Sequence, residues 1–194
     1  RELLRYFSDR TGLVPVAGTT LLRRGRHYGN ALLARPPVLR IRRGDLSLPG
    51  REPRGFIDVD LGWSPTLRLI TTHLGLRVWE RRRQIQLLQQ NLSPAKGLTL
   101  LLGDLNEWLP WSNNLQRLHR QFGRRPAVRS WPSRLPLFAL DRFWLYPSTT
   151  TAEIQAIDTP LTRTASDHLP VLVTLPGSEF STQGAKQPRP AHAN

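Results

Sequence analysis

The chain predicts an α/β protein with mixed sheets, and three stretches predict it. Leu98 to Leu102 is a continuous apolar run, too short for a helix and suited to a strand buried on both faces. From Phe56 to Leu61, Ile57, Val59 and Leu61 alternate with Asp58 and Asp60, the period-two pattern of a half-buried strand. Val78, Ile85, Leu88 and Leu92 recur at helical spacing and stop before Ser93-Pro94. Strands and helices therefore alternate along one chain.

The remaining elements follow in order. Leu3, Leu4 and Phe7 give a short helical face that Gly12 can cap. Thr19–Arg24 and Asn30–Ala34 read as two strands joined by a turn over Gly25–Gly29, and Pro36-Pro37 closes the second. Leu67 to Thr72 pairs antiparallel with the Phe56–Leu61 strand and leaves His73 at its end. Asn113, Leu115, Leu118 and Phe122 mark a helix stopped by Gly123. Phe143–Tyr146 and Val171–Leu175 complete the strands, giving one domain over 1–175. Residues 176–194, with little apolar content, read as a disordered tail.

Composition narrows the chemistry. With 194 residues and 39% apolar content the chain can bury a substantial core. It has no Cys, which excludes disulfides and thiolate metal sites and leaves oxygen and imidazole ligands. No apolar run approaches the ~20 residues that cross a bilayer. The compartment is left open between the cytoplasm, which is favoured, and export by a signal peptide upstream of Arg1. The formal charge is +14, and only Lys96 and Lys186 are Lys among the 28 basic residues. That Arg skew reflects coding bias, but the twofold excess of basic over acidic groups favours polyanions as partners, nucleic acid or an anionic membrane surface. No obligate protein partner is evident.

Five polar residues, His73, Asp104, Asn106, Asp167 and His168, sit where short apolar runs end or begin. Strand ends hold side chains rigidly and open them to a cleft. Two imidazoles, two carboxylates and an amide fit metal-assisted phosphoester hydrolysis, which needs oxygen ligands, a proton acceptor and a donor to the phosphate oxygens.

At these residues the chain resembles the endonuclease/exonuclease/phosphatase superfamily, the fold of DNase I. The matching motifs run in family order. They are Tyr28-Gly29-Asn30-Ala31-Leu32-Leu33, Thr72-His73-Leu74-Gly75 with Glu80-Arg81 and Gln84, Gly103-Asp104-Leu105-Asn106, Leu140-Asp141-Arg142-Phe143, and Ser166-Asp167-His168-Leu169-Pro170-Val171. The resemblance implies a four-layer α/β/β/α sandwich of two mixed sheets. It implies that Asp104 aligns or deprotonates the attacking water and that Asn106 contacts the scissile phosphate. Asp167, with Asp104, would touch a Mg²⁺ or Mn²⁺ ion, and His168 would contact the phosphate or act as general base. Asp141 would orient His168, His73 is the second active-site histidine, and Asn30 is a phosphate-side contact.

One departure matters. The family's first strand carries an Asn, and a later one ends in the Glu that is its principal metal ligand. This chain opens on Arg1-Glu2-Leu3-Leu4-Arg5-Tyr6-Phe7, which reads as the helix after that Glu. The expectation is a DNase I-like domain that is N-terminally incomplete. Its function reads as a metal-dependent phosphoesterase acting on DNA, RNA, an inositol phosphate or a phospholipid headgroup. The rival is a catalytically inactive polyanion-binding module. Other groups have blander readings: Glu52 as a loop charge, Glu107 as a spare oxygen with no fixed family role, and Arg81, Arg82 and Arg83 as a solvated helix face. Trp79, Trp108 and Trp111 read as core or rim packing.

Overall fold

The computed structural model describes residues 2–23, 26–92, 97–176 and 181–182. Helix α1 (Glu2–Thr11) ends at Gly12, whose φ of 69° suits glycine and whose amide donates to the Ser8 carbonyl. Strands β1 (Val14–Arg23) and β2 (Arg26–Ala34) form an antiparallel pair. Both are longer than the sequence pattern suggests, so Tyr28 and Gly29 lie in β2 and not in the turn. Next come β3 (Val38–Asp45), β4 (Gly55–Leu61), β5 (Trp63–Ser64), β6 (Leu67–His73) and α2 (Val78–Asn91). The order continues with β7 (Leu98–Asp104), α3 (Asn113–Phe122), β8 (Asp141–Tyr146), β9 (Glu153–Ala156), α4 (Pro160–Ala165), β10 (Val171–Thr174) and β11 (Ser181–Thr182).

The centre is a five-stranded sheet in the order β3-β4-β6-β7-β8. Its β6–β7 pair is parallel and the others antiparallel, so the sheet is mixed. A parallel pair cannot be closed by a tight turn, and α2 supplies the crossover. One sheet face packs on α2 and α3 through Ile70, Leu101 and Trp144 against Ile85, Leu88, Leu115 and Leu118. The other packs on two strand pairs, with Val16, Leu32, Ile154 and Val173 over Ile57, Val59, Leu100 and Phe143. Helix α1 lies outside β1–β2, where Leu3, Leu4 and Phe7 face Ala17, Ala31 and Leu33. The layers are α/β/β/α.

Two details differ from the sequence expectation. The second β layer consists of separate antiparallel pairs, β1–β2 and β9–β10, with no strand bridging them among the described residues. Strand β4 is buried on both faces, not half-buried. Its outer carboxylate, Asp58, is enclosed by the guanidiniums of Arg42 and Arg68, with contacts of 2.7 Å to each. Burial opposes ionisation of Asp58, but the two arginines outweigh it and hold the carboxyl below its ordinary range. Of the expected tail, Ser181 and Thr182 pair with Trp63-Ser64, and residues 177–180 and 183–194 lie outside the described residues. The start of β3 was hidden in the sequence by Arg40, Arg42 and Arg43, which break the apolar rhythm of this edge strand.

Candidate active site

Strand register builds the site. His73 is the last residue of β6, opposite Asp104 at the end of β7, and Asp104 is opposite Asp141 at the start of β8. Three neighbouring strand ends thus present an imidazole and two carboxylates in one row. The ladder continues beyond them, with the Leu74 amide on the Asp104 carbonyl and the Leu105 amide on the Leu140 carbonyl, at 3.0 Å each. Gly103 makes this approach feasible. Its φ is +148°, and a Cβ there would come within 1.9 Å of the Thr72 carbonyl oxygen.

Beyond β7 the chain turns through Asn106, whose φ of 50° lies in the left-handed region that Asn tolerates. The Asn106 backbone amide donates to Asp104 Oδ1 at 2.8 Å. Its buried side-chain Nδ2 donates to the Leu74 carbonyl at 2.9 Å and lies 3.1 Å from His73 Nε2. Asp104 Oδ2 lies 3.3 Å from His73 Nε2 and 3.8 Å from His168 Nε2, so one carboxylate oxygen faces both imidazoles.

His168 arrives from a separate segment. The Ser133 amide donates to the Asp167 carbonyl at 2.7 Å and the Leu169 amide to the Ser130 carbonyl at 2.8 Å, which docks the 166–169 turn beside β8. His168 Nδ1 then lies 2.8 Å from Asp141 Oδ2, and buried Ser130 donates its hydroxyl to the same oxygen at 2.5 Å. With Nδ1 engaged by Asp141, Nε2 is the atom turned toward Asp104 and the cleft. Burial alone would lower the His168 pKa, but its hydrogen bond to Asp141, with the charges of Asp141, Asp104 and Asp167, raises it above 6.5. His73 moves the other way, lowered by burial and by the nearby Arg54 charge against the pull of Asp104. The two histidines are pushed apart, one toward imidazolium and one toward neutral imidazole, the pattern that separates roles in a site.

His73, Asp104, Asn106, Asp141 and His168 are therefore brought together. Asn30 lies nearby: with Glu52, Arg54 and His73 it lines a cavity of about 190 Å³, and its Nδ2 donates to the Gly55 carbonyl at 3.2 Å. Asp167 is exposed at the edge, 3.5 Å from the Ser166 hydroxyl. Among the described residues, no group of three or more His, Cys, Asp or Glu side chains is arranged to hold a metal. Asp104 and Asp167 are the carboxylates that could hold such an ion, since Mg²⁺ is commonly bound by one or two carboxylates with water and substrate phosphate completing its six ligands.

Two sequence readings are corrected here. Arg81 is not on a solvated face. It is 2% exposed and its Nε lies 3.2 Å from Glu107 Oε2. Glu107 is equally enclosed, holding Arg81 and, at 2.9 Å, Asn114 Nδ2, so its oxygens are committed to a buried clamp one residue beyond Asn106. Ser130 and Arg54 were missed altogether. Neither carries a sequence signal, because their partners lie at remote positions with no periodic relation.

Residues 3–168 match the Endonuclease/Exonuclease/phosphatase family, and the chain belongs to that family. Its members are hydrolytic phosphoesterases, among them nucleases and phosphatases. The uncharacterized protein YbhP of Escherichia coli is 31% identical over 157 residues, which is 75% of this chain and 61% of YbhP. The chain thus spans about three-fifths of that relative's length. Among solved structures, the mannosyl-6-phosphatase of Bacteroides thetaiotaomicron superposes with a TM-score of 0.69 at 14% identity, covering 90% of this chain and 81% of that one. An endonuclease/exonuclease/phosphatase from Beutenbergia cavernae gives 0.64 at 20% identity, covering 89% and 55%. D. rerio TDP2 complexed with a single-strand DNA product gives 0.60 at 15% identity, covering 86% and 79%. At these identities the likeness is one of fold.

Proposed function

We propose that the protein hydrolyses a phosphodiester or phosphomonoester by in-line attack of water. The observation that carries the reading is the His168–Asp141 pair set over Asp104 at the end of the sheet. In this reading Asp104, fixed through Oδ1 by the Asn106 amide, aligns the water with Oδ2 and accepts its proton. His168, whose protonated form the Asp141 hydrogen bond favours, donates from Nε2 to a phosphate oxygen and offsets the charge that builds there. Asn106 and Asn30 contact the remaining oxygens. His73, whose neutral form burial favours, lies between Asp104 and the cavity that Asn30 and Arg54 line.

The family resemblance makes Mg²⁺ or Mn²⁺ the proposed cofactor, with Asp104 and Asp167 as the ligands within this chain. Bound there, the ion would offset charge on the phosphate oxygens, and each step above rests on the protein's own groups. The +14 charge favours a second reading, an inactive module that binds polyanions.

Turnover of bis-p-nitrophenyl phosphate separates the two. The enzyme reading expects hydrolysis with Mg²⁺ or Mn²⁺ and its loss in EDTA. Unchanged turnover in EDTA would remove the metal from the proposal. No turnover with either ion, together with salt-sensitive binding of DNA, would favour the module.

A further inference from the structure

The loops at the catalytic end of the central sheet carry large apolar side chains that no described element covers. Just beyond His73, Leu76, Val78 and Trp79 are 65%, 65% and 50% exposed. Just beyond Asp104, Trp108, Leu109 and Trp111 are 37%, 50% and 70% exposed. The two groups adjoin. Asn114 Nδ2 donates to the Val78 carbonyl at 3.3 Å, and the Arg81–Glu107 pair ties α2 to the 105–112 loop. Trp108 also packs edge-on to Trp131 and Phe138, on the segment that leads to Asp141. Scattered exposed apolar residues are ordinary, but an adjoining set at the mouth of a polar site marks an interaction surface.

Charge surrounds this rim. Arg77, Arg82 and Arg83 are exposed along the start of α2, and Arg134 lies on the Trp131 segment. The Arg51 guanidinium sits 5.3 Å from the centre of the Trp79 ring. Apolar groups interleaved with Trp and Arg match a bilayer interface. Leu and Val enter the acyl boundary, indoles sit at headgroup level, and guanidiniums meet lipid phosphates. A nucleic acid would satisfy the arginines with its phosphates and could stack its bases on Trp, but it has no acyl chains to cover Leu76, Val78 and Leu109.

We infer that this rim docks on an anionic lipid bilayer and presents the phosphate ester of a lipid headgroup to the cluster around His168. The inference rests on the phosphoesterase reading for its substrate and on the rim alone for the docking.

The test reads docking without turnover. The 194-residue protein is sedimented with vesicles of phosphatidylglycerol and phosphatidylcholine, and with phosphatidylcholine alone. The expected result is preference for the anionic vesicles, with Trp emission quenched by lipids brominated in the acyl chain. Trp79→Ser with Trp111→Ser should weaken the partition at least ~10-fold, since it removes the interfacial side chains and leaves the charge. Melting temperature and any turnover of soluble bis-p-nitrophenyl phosphate should stay unchanged. Partition that ignores the double substitution, or that is absent from both vesicles, overturns the docking. So does a rim whose substitution weakens binding of oligonucleotides while sparing vesicles, or whose indoles are buried by self-association. Lack of turnover in the wild type would sink the phosphoesterase reading and leave the vesicle result standing.

Discussion

The helix-covered face of the central sheet and its strand-covered face bury similar side chains in different company. Among the described residues beneath α2 and α3, thirteen buried ones pack with only Leu87 as a partly buried neighbour. Beneath the strand pairs, ten buried residues share their cluster with nine that remain partly exposed, among them Leu32, Leu102, Ile154 and Val173. The helix face also holds the Arg81–Glu107–Asn114 clamp directly behind Asn106. The difference teaches where the rigidity of the site originates. The candidate catalytic row stands on β6, β7 and β8, which both faces share, and the loop after it is held by the buried clamp on the helix side and by Trp108 packed on Trp131 and Phe138.

The comparison breaks most visibly at the clamp. Arg81→Met leaves Glu107 buried without its cation and should cost about 3–5 kcal/mol by chemical denaturation, whereas Arg81→Met with Glu107→Leu should restore much of that. A loss within about 1 kcal/mol for the single substitution would make the clamp incidental and remove the asymmetry. Paired truncations give the next effect. Leu88→Ala, fully buried on the inner face of α2, should cost about 2–5 kcal/mol, and Leu32→Ala, partly exposed on β2, clearly less. Equal losses would mean that the two faces are equally tight.

The smallest effect sharpens the electrostatic side. Asp141→Asn should lower the His168 pKa, read from its ring resonances in a pH titration, because the partner that outweighs burial is gone. The sign for stability follows. A pKa raised by folding stabilises fully below the unfolded value and loses that contribution as pH rises through the folded value. The substitution should therefore cost more stability at pH 5 than at pH 9. An unmoved titration would detach Asp141 from its orienting role.

Much of the site was legible because its chemistry sits where patterns stop. His73, Asp104 and Asp141 follow or precede apolar runs whose period is unambiguous, and the sheet then aligns them by register. Asn106 and His168 adjoin those ends within two residues or within one turn. The fold was legible where one face is apolar, as in α3, and illegible where it is not. Strand β3 is an edge with arginines at its centre, and α4 has no buried residue to impose a helical rhythm. Arg81 shows the limit most plainly. A run of three arginines on a helix reads as solvated until a carboxylate 26 positions away closes over one of them. Trp79 and Trp111 read from the sequence as core or rim alike, and their exposure separates the two, because exposure is a property of what fails to pack.

The central claim is that Asp104 and His168 act on a phosphate ester and do not support the fold. It is tested most directly by kcat for bis-p-nitrophenyl phosphate in wild type, Asp104→Asn and His168→Ala, each with its melting temperature. Both substitutions should lower kcat at least ~100-fold, as expected for groups that act in the transition state, with the melting temperature nearly unchanged. Variants that keep more than about a tenth of the wild-type rate would contradict the claim, because a proton acceptor or phosphate contact cannot be removed so cheaply.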